Sequence, residues 1–211
     1  AAPRAGLALG RDGSLRLAPR APRGGPPPPP EALAGPAGVA VDPEGVAILA
    51  DPATGRPARI ACDGVLRPLG CLAVAAGGMA AGPRGALHLA EPSAGRVLLL
   101  DPSTGGERGR WEGAPLVAPA DVAAGADGVV YVADPGAGRL HRLDADGRPL
   151  PGEWPAAGSA PERPVAAWVA PDGDGEAIVA LDRPGGRAAV VLAWSPEGAP
   201  RPEVAARFAA A

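Results

Sequence analysis

One short turn recurs four times along this chain of 211 residues, and it limits the possible folds more than any other feature. Each copy begins with an acidic residue and ends five positions later in arginine, with glycine directly before that arginine. The copies span residues 51–56, 91–96, 134–139 and 182–187, so their first residues are 40, 43 and 48 positions apart. Such a period is typical of architectures in which each repeat is one supersecondary unit.

Short apolar runs flank each copy of the turn, and they predict β-strands. In the third copy these runs are residues 129–133 and 140–143. A third run lies farther upstream and ends in its own glycine turn, as in residues 38–45, 78–85 and 121–128. Glycine there supplies the positive φ that tight hairpins require. Three or four short strands in each unit predict an all-β chain built from propeller blades.

A fourth strand is indicated by large or buried side chains at one repeated offset. Cys71, Trp111 and Trp154 each lie 20 positions after the acid of their turn. We expect them at equivalent packing positions between blades, and we expect Phe208 to take that position in the last unit, after an insertion. The sequence therefore predicts a β-propeller of four-stranded blades with four recognisable repeats.

The ends of the chain leave the number of blades open. Residues 1–30 contain two predicted strands, at 7–17 around the turn Asp12-Gly13, and then a proline-rich linker at 26–30 that cannot form a central strand. Residues 31–211 contain the repeats. If residues 7–17 pair with residues 203–208, they belong to a closing blade and the ring has five blades. Otherwise the chain is part of a larger, six-bladed ring.

Composition excludes some partners and indicates a source. The net charge of −3 gives no electrostatic basis for binding nucleic acid or an anionic membrane. No run of 18 apolar residues occurs, so we predict no membrane-spanning segment. Lysine, asparagine and glutamine are absent, and all 20 basic residues are arginine. This bias is what a GC-rich bacterial genome produces, and it says nothing about function.

The repeat resembles that of the NHL family of β-propellers. The best copies are residues 38–63 and 121–146, where Gly-Val-Ala-Val-Asp opens the first and Val-Tyr-Val-Ala-Asp leads into the turn of the second. The asparagine that this family usually has before the arginine is glycine here, at Gly55, Gly95, Gly138 and Gly186. The resemblance covers residues 36–198 and implies the fold, but propellers of this family serve many functions.

A narrower resemblance implies the first functional hypothesis. Residues 6–17, the proline-rich break and a first repeat with two cysteines look like propeller proteins encoded beside phage tail-like contractile injection systems in GC-rich bacteria. This implies a non-enzymatic scaffold or protein-binding module, as a baseplate, fibre or accessory component of a tail-like particle. Its partners are then other proteins in a large multi-subunit assembly, it needs no cofactor, and it is located in the bacterial cytoplasm or a released particle.

The charged residues of the repeated turn are predicted to be structural. An acid at such a turn accepts hydrogen bonds from backbone N–H groups and fixes the hairpin, and the arginine pairs with this or a nearby carboxylate. Repetition in every unit favours architecture over catalysis or metal binding. These residues are Asp51, Arg56, Glu91, Arg96, Asp134, Arg139, Asp182 and Arg187.

The alternative hypothesis is a small-molecule lyase or lactonase that uses the propeller channel. Propeller lyases of the streptogramin-inactivating type need a channel histidine, for which His88 and His141 are the candidates. Calcium lactonases of the gluconolactonase type use asparagine as a ligand, which this chain lacks. We therefore predict no metal site and assign no catalytic residue. Cys62 and Cys71 form a disulfide in an oxidising compartment or remain thiols in a reducing one.

Overall fold

The chain is organised as successive antiparallel β-sheets, each made of strands that neighbour one another in sequence. The computed structural model describes residues 6–9, 15–18, 38–42, 44–51, 56–60, 66–69, 76–113, 115–125, 127–155, 163–169, 177–183, 186–194 and 200–209. These ranges contain β-strands, two short 3-10 turns and no α-helix. No helix in them has the length and apolar character needed to cross a membrane.

A two-stranded hairpin comes first, followed by four sheets that we number as blades one to four. The hairpin consists of β1 (Gly6–Leu9) and β2 (Leu15–Ala18). Blade one consists of β3 (Gly38–Val41), β4 (Ala47–Asp51), β5 (Arg56–Ile60) and β6 (Leu66–Pro68). Blade two consists of β7 (Met79–Ala81), β8 (Leu87–Glu91), β9 (Arg96–Leu100) and β10 (Glu107–Glu112), with 3-10 turns at Pro83–Gly85 and Pro92–Ala94.

Blade three has three full strands, and blade four has four. Blade three consists of β11 (Asp121–Ala124), β12 (Val130–Asp134) and β13 (Arg139–Leu143). Blade four consists of β14 (Pro164–Val169), β15 (Ala177–Arg183), β16 (Gly186–Trp194) and β17 (Pro200–Ala209). The predicted all-β architecture of propeller blades is confirmed.

The fourth strand of blade three is reduced to two isolated bridges. Leu143 pairs with Pro149, and Leu140 pairs with Trp154. This segment is rich in proline, at Pro149, Pro151 and Pro155, and proline cannot donate a hydrogen bond to a strand ladder. The segment therefore follows β13 without forming a continuous strand.

The first strands of the blades meet around a common axis. β3 contacts β7, β7 contacts β11, and β11 contacts β14. Three clusters of buried apolar side chains fill the spaces between consecutive blades. Representative members are Ile48 and Leu98 between blades one and two, Val97 and Val130 between blades two and three, and Tyr131 and Val179 between blades three and four.

The predicted packing position on the fourth strand is confirmed for two residues and wrong for a third. Trp111 pairs with Val97, and Trp154 pairs with Leu140; both partners lie six positions after the acid of their turn. Phe208 instead pairs with Arg187, and Arg207 stands opposite the equivalent residue, Ala188. In the backbone register Phe208 is therefore one residue away from the equivalent position.

The expected closing pair is not among the described pairings. β1 pairs with β2, and β17 pairs with β16 at the edge of blade four. A closing blade that includes residues 1–30, and with it the number of blades, stays a prediction. Cys62 and Cys71 lie outside the described residues, so their disulfide or thiol state also stays open.

Candidate central cavity

A cavity of about 740 Å³ opens where the first strands of the four blades converge. β3, β7, β11 and β14 supply most of its wall, and most of the lining side chains are small or apolar. Two of the large apolar side chains in the wall are solvent-exposed: Val39 by 61% and Trp168 by 55%. The cavity is therefore open to solvent and presents apolar surface to whatever enters it.

Asp121 is the charged residue that lines this cavity among the residues the structure describes. It is the first residue of β11, and its carboxylate lies at the junction of three blades. Oδ1 accepts a hydrogen bond from the N–H of Val122 at 2.9 Å. Oδ2 accepts one from the N–H of Ala167 in β14 at 3.1 Å. The side chain thus links blade three to blade four while remaining in the cavity wall.

Burial raises the pKa of Asp121 to about 6, although the N–H groups of Ala167 and Val122 act in the opposite direction. The cause is physical: apolar surroundings solvate a carboxylate poorly and so favour its neutral form. Near neutral pH this side chain is therefore mostly ionised but close to its titration range. Such a group in an open cavity can bind a hydrogen-bond donor or exchange a proton.

A glycine directly before the neighbouring strand, β7, makes room for the carboxylate. A Cβ atom added to Gly78 would stand 1.5 Å from Oδ1 of Asp121. The blades are also in direct contact here, because the N–H of Gly78 donates to the carbonyl of Ala120 at 2.8 Å. In the repeat alignment, Gly38 and Gly78 occupy the position that Asp121 occupies in blade three. The repeat therefore places a carboxylate where two other copies have no side chain.

His88 is not among the residues that line the cavity. It is fully buried in β8, where its ring packs at a tilt against Trp111 with 4.8 Å between the ring centroids. Burial lowers the pKa of His88 to about 4, so the imidazole is neutral at physiological pH. Its position gives no support to a catalytic role in the channel.

His141 is likewise buried away from the cavity, in β13. Its Nε2 lies 3.8 Å from Oδ2 of Asp134, and its Nδ1 lies 3.8 Å from Oε2 of Glu153. The two histidines considered for lyase chemistry thus lie in separate blades and neither faces the channel. In the described part of the chain, no group of three or more histidine, cysteine, aspartate or glutamate side chains is arranged to hold a metal ion.

The acid and the arginine of each repeated turn stand directly opposite each other across a hairpin. The paired residues are Asp51 and Arg56, Glu91 and Arg96, Asp134 and Arg139, and Asp182 and Arg187. In the second copy the pair is an ion pair, with 2.6 Å between Nε of Arg96 and Oε2 of Glu91.

In the third copy the acid and the arginine have separate partners. Asp134 accepts hydrogen bonds from the N–H groups of Val117, Ala118 and Ala137, at 2.7 to 3.0 Å. Arg139 donates to the carbonyl of Pro155 and lies 3.5 Å from Glu153. These contacts tie the hairpin to neighbouring loops. The structural role of the four turns stays a prediction.

Asp121 was not singled out by sequence reasoning, although a signal was present. It begins the run 121–128, which the repeat alignment reads as one more strand and turn. It is distinguished by its residue type, because blades one and two have glycine at the equivalent position. In blade three the carboxylate fits because Gly78 of the adjacent blade has no side chain in the space that it occupies.

No protein-family model matches this chain, and no curated protein matches it. Solved structures do match over most of its length. A streptogramin B lyase shares 15% identity at a TM-score of 0.65, covering 95% of this chain and 68% of the lyase. A gluconolactonase from Xanthomonas campestris shares 20% identity at a TM-score of 0.63, covering 99% and 71%. A nidogen/laminin complex shares 16% identity at a TM-score of 0.65, covering 93% and 72%. At these identities the likeness shows the fold, and the fold is an NHL-like β-propeller.

Proposed function

We propose that this chain binds a small, mainly apolar molecule in its central cavity and acts on it there, as a lyase or lactonase of the propeller type. The observation that carries the proposal is the cavity itself, which is apolar, open and furnished with the carboxylate of Asp121. Its volume of about 740 Å³ lies in the range of small-molecule sites. Apolar walls with a few placed polar groups are the usual composition of such sites.

Asp121 is the acid–base group in this proposal. A general acid or base works best when its pKa lies near the working pH, and burial has raised the pKa of Asp121 to about 6. In an elimination the carboxylate accepts a proton from carbon, the C–H electrons form the double bond, the bond to the leaving oxygen breaks, and the proton returns to that oxygen. In lactone hydrolysis the carboxylate accepts a proton from the water that attacks the carbonyl carbon, the ring C–O bond breaks, and the proton returns to the departing alkoxide. Each reaction thus needs one group that accepts and then returns a proton beside an otherwise apolar substrate.

The structural neighbours support this proposal as an analogy of fold. A lyase and a gluconolactonase are among them, which favours small-molecule chemistry over a part of a tail-like particle. The nidogen/laminin complex supports protein binding as a further use of the same fold. Nothing in these neighbours supports the association with contractile particles, which stays a prediction.

The experiment is a binding and turnover screen with apolar lactones and esters, including δ-decalactone and phenyl acetate. We expect calorimetric binding to the purified chain and slow turnover of at least one compound. Ala81→Trp should abolish binding, because Ala81 is exposed and lines the cavity. Ala94→Trp is the matched control, because Ala94 is exposed on a 3-10 turn and is not part of the cavity wall.

Asp121→Asn separates binding from chemistry. We expect it to remove turnover while binding of a neutral lactone persists. Glu112→Gln changes the net charge equally at an exposed position of β10 and should behave like the parent chain. Absence of binding by every compound, or equal binding to the Ala81→Trp variant, would overturn the proposal.

A further inference from the structure

We infer that the central cavity selects hydrophobic molecules that carry a protonated amine and rejects carboxylates of the same shape. This inference rests on the proposed function, because it names the class of molecule that the same cavity takes. It follows from the sign and the surroundings of the charge in the cavity wall.

The charge that the described residues place in the wall is negative. The chain has 20 arginines, yet none of those described lines the cavity, whereas Asp121 does. The partners described for its two oxygen atoms are backbone N–H groups, of Val122 and Ala167, rather than a cationic side chain. Asp121 therefore brings a net negative charge into an apolar space, where it attracts a cation that enters the cavity and repels an anion.

The carboxylate of Asp121 also has acceptor capacity left. An ionised carboxylate offers about four acceptor sites on its two oxygens. One described hydrogen bond ends on each oxygen, and Oδ1 also packs against the backbone of Gly78, so Oδ2 is the oxygen that offers acceptor capacity to a further donor. An ammonium group has three N–H donors and no acceptor, so it suits this site, whereas a second carboxylate has no donor to offer.

Trp168 supplies a second feature that favours a cation. It follows Ala167 in β14, lines the cavity, and is 55% exposed. The face of an indole ring attracts an ammonium group, most strongly where water is partly excluded. The hydrocarbon part of such a molecule can contact apolar side chains on the other strands, such as Val39 of β3 and Met79 of β7.

The strands packed against β11 bring no positive charge toward Asp121. β7 and β14 contain no ionisable side chain. β8 contains His88 and Glu91, and β12 contains Tyr131 and Asp134. The pKa of His88 is about 4, so its imidazole is neutral above that pH. The pH dependence of amine binding is therefore set by the titration of Asp121 itself, and this binding should weaken as the pH falls through about 6.

The test uses three compounds that share one hydrocarbon frame: 4-butylbenzylamine, 4-butylbenzyl alcohol and 4-butylbenzoate. Titration calorimetry at pH 7.5 should give the amine an affinity roughly tenfold or more above that of the benzoate, with the alcohol between them. At pH 5.0 the preference for the amine over the alcohol should shrink severalfold, with folding at that pH confirmed by circular dichroism. Asp121→Asn should remove the same preference at pH 7.5, and Glu112→Gln should leave it intact.

Each outcome of this test has one meaning. Equal affinities for the three compounds, or tightest binding of the benzoate, would overturn the charge selection and leave the small-molecule function standing. A preference for the amine that survives both pH 5.0 and Asp121→Asn would overturn the role of Asp121. Absence of binding by all three compounds and by the lactone panel would overturn the proposed function as well.

Discussion

His88 and Trp111 form a tilted pair of rings in contact within blade two, with 4.8 Å between their ring centroids and an angle of 49° between their planes. No well-formed hydrogen bond reaches either nitrogen of the imidazole among the described residues, although the backbone of Ala86 lies close enough to oppose the lowering of the pKa of His88. The ring reaches into space left by Gly82, where an added Cβ atom would stand 2.1 Å from Nδ1. A polar ring is thus buried as if it were an apolar one, which gives it a measurable dependence on pH.

We predict that protonation of His88 destabilises the fold in mild acid. Burial lowers the pKa of His88 from 6.5 to about 4, so between these values the unfolded chain binds more protons than the folded chain. The contribution of His88 to stability is therefore complete above pH 6.5 and falls as the pH drops toward 4, by about 3 kcal/mol in all. Urea denaturation at pH 7.0, 5.5 and 4.5 measures this loss.

His88→Leu is the variant that isolates this effect. Leucine retains the apolar contact with Trp111 but cannot take up a proton, so the variant should lose less stability between pH 7.0 and 4.5 than the parent chain. Parallel pH profiles for the two proteins would show that His88 is not the acid-sensitive group.

Asp121 should produce the opposite pH dependence. Its pKa rises from 3.8 to about 6 on folding, so between these values the folded chain holds more protons than the unfolded chain. Its contribution to stability is therefore present below pH 3.8 and is lost as the pH rises through 6. Between pH 4 and 7 the unfolding free energy of the parent chain should fall by about 2 kcal/mol relative to that of Asp121→Asn. If the difference in unfolding free energy between the two proteins stayed constant across that range, the raised pKa of Asp121 would be contradicted.

Asp134 and Asp182 occupy the same position of the repeated turn but should differ in their effect on stability. Burial opposes ionisation of Asp134, but His141 and the N–H groups of Val117, Ala137 and Ala118 outweigh it and lower its pKa to about 2. Asp134→Asn leaves part of these donors without a charged acceptor and should cost about 2 to 3 kcal/mol of unfolding free energy.

Asp182→Asn is the matched control, because this acid is exposed. It should change the unfolding free energy by less than about 0.5 kcal/mol. Chemical denaturation of both variants at pH 7 gives the comparison. Equal losses in the two variants would show that the position in the turn matters and that the hydrogen bonds to Asp134 do not.

The sequence allowed the blades to be predicted because their signals are local and repeated. Acid, glycine and arginine recur at fixed spacing, and the register of Trp111 and Trp154 follows from counting along hairpins of constant length. Phe208 was misplaced because an insertion separates it from its turn. Beyond an insertion the register depends on pairing with β16, and a count from the turn no longer determines which face a side chain occupies.

The candidate site could not be predicted in the same way, because the cavity is formed by strands distant in sequence. Asp121 and Ala167 are 46 positions apart and meet only when blades three and four pack. Histidine is a common catalytic residue type, which made both histidines candidates. However, His88 stands at a buried position, where the other repeats have Ile48, Tyr131 and Val179. Repeat position was therefore the better guide to burial, and residue type alone was misleading.

The contact between Gly82 and His88 can be tested as a pair. Gly82→Ala places a methyl group 2.1 Å from Nδ1 of a fully buried ring, and overpacking of this kind costs about 1 to 3 kcal/mol. If the contact is the cause, the cost of Gly82→Ala should largely disappear in a chain that already carries His88→Ala. Thermal and urea unfolding of the four proteins in this cycle measure the coupling between the two positions.

Gly109→Ala is the matched control for the loss of a glycine in blade two. An added Cβ atom there meets no atom within 4 Å, and alanine reduces the conformational freedom of the unfolded chain, so this variant should be neutral or slightly stabilising. A cost for Gly82→Ala that is the same with and without the His88 ring would place the strain in the backbone at residue 82. A cost that vanishes with the ring places it in the contact with His88, which is the result we expect.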